Sequence, residues 1–154
     1  MTWNMDLSQH EYAILMEAGF MYRYARRFQE AREIFESVRA LQPLNEMAEI
    51  ALGGVSFDED NFDDAVAHCL KAISLNPNSA RAYAQLGEVQ LFKSAKDLAR
   101  LNLQKAVQLD SVGRRGTVAL QRKREGDPRW DTGLDSGGHT SRVACALLKL
   151  ADII

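Results

Sequence analysis

Residues Glu46–Ser79 read EMAEIALGGVSFDEDNFDDAVAHCLKAISLNPNS. Set beside the segments before and after it, Tyr12–Asn45 and Ala80–Gly113, this stretch repeats in kind at an interval of 34 residues. Gly19, Gly53 and Gly87 fall in phase, as do Ala31, Ala65 and Ala99, and Leu41, Leu75 and Leu109. Pro43 and Pro77 keep the same interval. A period of this length is that of a two-helix unit, and stacked units make binding surfaces more readily than catalytic centres. Glycine inside a helix costs about 0.5–1 kcal/mol relative to alanine, so its recurrence implies a close helix crossing with no room for a β-carbon.

The apolar spacing within each unit is helical. Ser8-Gln9-His10-Glu11 forms a capping box ahead of a stripe of Tyr12, Leu15, Met16, Gly19 and Phe20, with Tyr22 beyond. After the turn Ala25-Arg26-Arg27-Phe28, a second helix carries Ala31, Ile34, Phe35, Val38 and Leu41, and Pro43 follows its end. Unit two turns at Asp58-Glu59-Asp60-Asn61, and its second helix holds Ala65, Val66, Cys69, Ala72, Ile73 and Leu75 before Pro77. Unit three has Tyr83, Leu86, Gly87 and Leu91; Ser94 is placed to cap a helix with Leu98, Ala99, Leu103, Ala106, Val107 and Leu109.

These residues resemble the tetratricopeptide repeat family. Its pattern sets a bulky residue at position four, Leu-Gly at seven and eight, and Tyr at eleven. Ala follows at twenty, an aromatic at twenty-four, Ala at twenty-seven and Pro at thirty-two. Leu15, Gly19, Tyr22, Ala31, Phe35 and Pro43 match in unit one; Leu52, Gly53, Ala65, Ala72 and Pro77 in unit two; Tyr83, Leu86, Gly87, Ala99 and Ala106 in unit three. Glu49 departs from the bulky residue, Ser56 from the tyrosine, and Ser111 from the last proline. The resemblance implies an all-α fold: a right-handed superhelix of three tandem repeats (12–45, 46–79 and 80–113), with a short N-terminal lead-in and C-terminal helices. With a capping helix over about 114–125, the repeat domain spans 1–125. A flexible linker rich in glycine and aspartate is expected at 126–140. An apolar helix is expected at 141–154, with Val143, Leu147, Leu150 and Ile154 on one face. That helix has three places to pack: its own array, a neighbouring molecule, or a partner's groove.

The chain has 154 residues, 46% of them apolar, which is the size and composition of one globular domain. No apolar run reaches the ~18 residues of a membrane span, and the N-terminus lacks the basic and apolar regions of a secretory signal. A cytoplasmic protein with no membrane association is expected. Residues 1–113 hold 11 Lys and Arg against 16 Asp and Glu, and residues 114–154 hold 8 against 5. A mildly acidic repeat array argues against a nucleic-acid partner, and Arg122-Lys123-Arg124 reads as the polar face of a capping helix. Cys69 sits at a core position as a small hydrophobe, and two cysteines make no disulfide framework.

No catalytic set is present, so an enzyme is not expected. His10, His68 and His139 lack metal-ligand spacing. The acidic run from Asp58 to Asp64 lacks the order of a calcium loop and is explained by helix N-terminal carboxylates. Neither a metal nor a cofactor is expected.

The resemblance further implies a ligand groove lined by positions two, five, nine, twelve and thirteen of each first helix. In unit one these are Ala13, Met16, Phe20, Arg23 and Tyr24; in unit two Met47, Ile50, Gly54, Phe57 and Asp58; in unit three Arg81, Ala84, Glu88, Leu91 and Phe92. The set is rich in apolar and aromatic groups, which suits an extended, largely apolar peptide. Gly54 would allow close approach of a peptide backbone. The competing explanation is that some of these groups pack under the C-terminal helix. Family members that clamp the acidic tails of heat-shock chaperones use Lys, Asn and Arg where this chain has Met16, Phe20, Ala51, Arg81 and Gln85, and only Arg81 is basic. The stretch Arg27–Phe35 is similar to the first repeat of class II chaperones of type III secretion systems, which hold hydrophobic translocators before export. A chaperone of secreted proteins is therefore expected, with a general scaffold or adaptor as the alternative. Trp3, Met5 and Leu7, apolar and outside the repeats, offer a surface for homodimerisation.

Overall fold

The computed structural model describes residues 7–125 and 139–153. It is all-α, with seven helices among the described residues: α1 (Gln9–Tyr24), α2 (Phe28–Leu41), α3 (Glu46–Asp58), α4 (Phe62–Leu75), α5 (Ala80–Phe92), α6 (Lys96–Glu125) and α7 (His139–Ile153). Each repeat supplies an antiparallel-type helical hairpin, α1–α2, α3–α4 and α5–α6.

Local sequence explains where the helices begin. Ser8 accepts from Glu11 N at 3.2 Å, and Glu11 Oε2 accepts from Ser8 N at 2.9 Å, which completes the expected capping box. Asn45, Asn61 and Ser79 cap α3, α4 and α5 through their side chains.

The first helix of every hairpin ends in the same way. Arg26, Asp60 and Ser94 all adopt left-handed backbone, with φ of 59°, 60° and 61°. The next amide then reaches back five residues: Arg27 N to Tyr22 O at 2.9 Å, Asn61 N to Ser56 O and Ala95 N to Gln90 O both at 2.8 Å. This closure satisfies carbonyls that the helix end leaves open. Ser94 is thus the left-handed residue of the turn, not the cap of α6, which starts two residues later at Lys96.

Second helices stop where proline follows. Gln42 N and Asn76 N bond to Val38 O and Ala72 O at 2.8 and 2.9 Å, just before Pro43 and Pro77. Proline bars helical geometry in the residue before it. At the matching place in the third repeat stands Ser111, and α6 runs on to Glu125. The separate capping helix expected at about 114–125 is therefore the far half of one long helix, continuous through Gly113. The expected linker falls largely on 126–138, outside the described residues, while 139–140 already belong to α7.

Although its length suits one domain, the chain divides into two compact units, Met1–Pro77 and Asn78–Ile154. In the first, α2 packs on both α1 and α3, and α4 on α3. Its core gathers Met16, Phe35, Val38, Ala48, Ala51, Leu52 and Val55 around the fully buried Ala31. A β-carbon on Gly19 would stand 2.4 Å from Phe35 Cε1, so the helix crossing does exclude one. In the second unit, α5, α6 and α7 pack together. A β-carbon on Gly87 would stand 2.5 Å from Leu103 Cγ and 3.2 Å from Ala99 O.

The destination of the C-terminal helix is now settled among the described residues: α7 packs on α5 and α6. Ala144 joins Ala84, Leu103 and Ala106 in one buried cluster, with Leu147 and Leu148 against it. Ala151 is also buried, and Arg100 pairs with Asp152 at 2.7 Å. The buried face is Ala144, Leu147, Leu148 and Ala151, a rotation from the one expected, because Leu150 is 50% exposed. The expectations for Val143 and Ile154 lie outside the described side chains, and those for Trp3 and Met5 outside the described residues.

Both departures of unit two from the family pattern are buried, and both are compensated by polar partners. Glu49 is fully enclosed, with Lys71 Nζ at 2.7 Å, His68 Nδ1 at 2.8 Å and Arg39 Nη1 at 3.7 Å. Burial pushes its carboxyl pKa up, but the adjacent Lys71 ammonium and the hydrogen bond with His68 outweigh that and hold it below the ordinary value. Ser56, also fully buried, donates to Asp64 Oδ2 at 2.6 Å. Arg32 of α2 extends the network to Glu59 and reaches Asp64 at 3.9 Å. An ionic net thus joins α2, α3 and α4 where bulky packing was expected.

Candidate peptide-binding groove

On α1, Ala13, Met16, Phe20, Arg23 and Tyr24 recur at helical spacing, as do Met47, Ile50, Gly54, Phe57 and Asp58 on α3. On α3 this face lies opposite Glu49 and Ser56, whose side chains meet α4 and α2. Both faces belong to the first compact unit, so their mutual geometry is defined.

The residues of this face stand at different depths. Met16 and Ile50 are buried, at 6% and 7% exposure, and Met16 belongs to the core. Met47 and Phe20 are half-buried and pack against that core. The Phe20 ring meets Phe35 edge-on at 5.2 Å between centroids, and Phe57 meets Phe62 of α4 at 5.6 Å. The two phenylalanines are thus partly engaged in holding the hairpins together. Tyr24 is 81% exposed and forms the open lip of the face.

Arg23 and Asp58 bridge the two first helices. Arg23 Nε donates to Asp58 Oδ2 at 2.6 Å, and Nη2 to Oδ1 at 3.2 Å. The side chains remain 23% and 29% exposed. The guanidinium lies over Gly54: a β-carbon there would be 2.5 Å from Arg23 Nη1. The space that was expected to admit a peptide backbone onto Gly54 is therefore filled by Arg23, and a ligand arriving here meets the guanidinium. Sequence spacing carried no sign of this pair, which joins residues 35 apart in the chain. Only the repeat register, which puts both on groove positions, could have suggested it.

The second unit holds the remaining expected residues. Arg81 is exposed, Glu88 is half-buried, and Phe92 is 61% exposed. Leu91 packs against the cluster that contains Ala84 and Ala144 of α7. Packing with the C-terminal helix thus accounts for Ala84. Among the described residues no group of three His, Cys, Asp or Glu is placed to hold a metal ion. No described helix is long and apolar enough to cross a membrane.

No protein-family model matches this chain, and no curated protein matches it. Solved structures do. PcrH from Pseudomonas aeruginosa superposes with a TM-score of 0.68 at 16% identity, over 99% of each chain. A complex of PcrH with the chaperone-binding region of PopD gives 0.66 at 17% identity, over 96% of this chain and 95% of the other. The first repeat domain of Spaghetti (RPAP3), bound to the HSP90 peptide SRMEEVD, gives 0.66 at 15% identity, over 97% and 96%. The fold is that of tetratricopeptide-repeat proteins.

Proposed function

We propose that this chain is a peptide-binding chaperone of secreted, translocator-like proteins, acting in the cytoplasm without catalysis. The observation that carries the reading is the exposed Tyr24 beside a largely apolar face on α1 and α3. An apolar face of this kind, rimmed by polar groups, favours an apolar peptide. The positions that a carboxylate clamp would need support the same choice: Met16 and Ala51 are buried core residues here. Similarity to PcrH, a structure of which holds part of PopD, points the same way.

The adaptor reading stays as the alternative because the RPAP3 domain superposes equally well. Titration of the full chain with the PopD chaperone-binding region and with SRMEEVD separates the two. Micromolar or tighter binding of the first, about −8 kcal/mol, with none of the second is the expected result. The reverse order would overturn the chaperone assignment in favour of the adaptor.

We also propose a homodimer through the N-terminal lead-in. Ile14, 52% exposed in the first half of α1, adds apolar surface near that end. Sedimentation showing only monomer at high concentration would remove this part.

A further inference from the structure

We infer that Arg23 is a neutral main-chain clip which makes the groove select uncharged peptide and reject acidic peptide. This rests on the groove reading above and names its specificity residue. An arginine carries five N–H donors in a rigid fork. Asp58 takes the Nε hydrogen and one Nη2 hydrogen, and that fixes the plane of the guanidinium across α1 and α3. Both Nη1 hydrogens and the other Nη2 hydrogen are left over. Among the described residues no other side chain hydrogen-bonds the guanidinium, and the Arg23 side chain keeps 23% exposure. The fork is therefore oriented, in reach of a ligand, and partly uncommitted.

Charge decides what it takes. Asp58 neutralises the guanidinium in a bidentate pair, so the site as a whole has no net charge to offer a ligand carboxylate. An incoming carboxylate would also meet the Asp58 carboxylate itself. A peptide carbonyl brings an acceptor without a charge, and fits. Tyr24, one residue on and open to solvent, supplies an aromatic wall for the neighbouring side chain. Gly54 is small because the fork must lie flat on α3: a β-carbon would lift it. The glycine serves the clip and not the ligand directly.

The test uses a phage-displayed library of random twelve-residue peptides selected on the full chain, on Arg23→Met and on Asp58→Asn. Each variant is first matched to the parent by far-ultraviolet circular dichroism; if Arg23→Met fails to fold, Arg23→Lys takes its place, since it keeps charge but not the fork. The parent should enrich neutral, apolar sequences. Binding of the best one should weaken about 5–10-fold in Arg23→Met, the loss of one or two hydrogen bonds. Asp58→Asn keeps one acceptor but loses the bidentate pair and its charge, so it should weaken that peptide about two- to fivefold, yet bind the singly Glu-substituted counterpart at least about fivefold tighter than the parent does. Unchanged affinity in the folded Arg23 variant, or acidic enrichment by the parent, overturns the clip but leaves the groove. No enrichment over bare support on the parent chain overturns the groove reading and the clip together.

Discussion

At the scale of single residues, small changes at repeat positions have opposite signs. Gly19→Ala would drive a β-carbon into the fully buried Phe35 ring, which has no free space to move into. A loss of about 1–3 kcal/mol is expected, read as a lower urea midpoint with unchanged slope. Ser94→Gly acts the other way, because Ser94 holds a left-handed φ of 61° that glycine adopts without strain. A gain of about 0.5–1 kcal/mol should appear as a higher melting temperature. Glu49 adds a dependence on pH. Its folded pKa lies below 4.5, so its stabilising effect is complete above that value and is lost as pH falls through the lower one. Glu49→Gln should cost about 1–3 kcal/mol at neutral pH. That difference should shrink on acidification below pH 4.5, and a difference independent of pH would contradict the assigned role of the carboxylate.

At the scale of elements, α7 and the length of α6 matter most. Ala144, Leu147, Leu148 and Ala151 cover apolar groups of α5 and α6. Deleting residues 139–154 should expose Ala84, Leu103 and Ala106, lower the melting temperature by at least about 5 °C and induce binding of a hydrophobic dye. An unchanged melting curve would mean that α7 adds nothing to the second unit. The stops of α2 and α4 could be read from Pro43 and Pro77, since proline acts on its own neighbours. The missing stop at Ser111 was equally visible, yet a break at Gly113 was expected there. Glycine only weakens a helix, by about 1 kcal/mol, and α6 continues through it. The inward face of α7 could not be settled from its own spacing, because alanine and leucine positions compete for burial and only the surface beneath α7 decides between them.

At the scale of the whole molecule, ligand binding and stability are linked. A peptide that binds only the folded chain, supplied at about a hundred times its dissociation constant, should add about 2.7 kcal/mol. A thermal shift with the PopD region and none with SRMEEVD would agree with the chaperone reading; equal shifts would speak for the adaptor. The sequence by itself determined the repeat, its period, the helical hairpins and the crossings at Gly19 and Gly87, because these follow from neighbours along the chain and from one unit recurring in phase. Through the family resemblance it also suggested which positions would line a groove. Tertiary structure alone decided which of those positions are open, since burial depends on residues far away in sequence. It turned Phe20 and Phe57 toward aromatic partners, left Tyr24 exposed, and laid Arg23 over Gly54 against Asp58. It also showed how Glu49 and Ser56, which break the apolar pattern, are accommodated: charged groups from two neighbouring helices converge on them, a meeting that only the packed helices create.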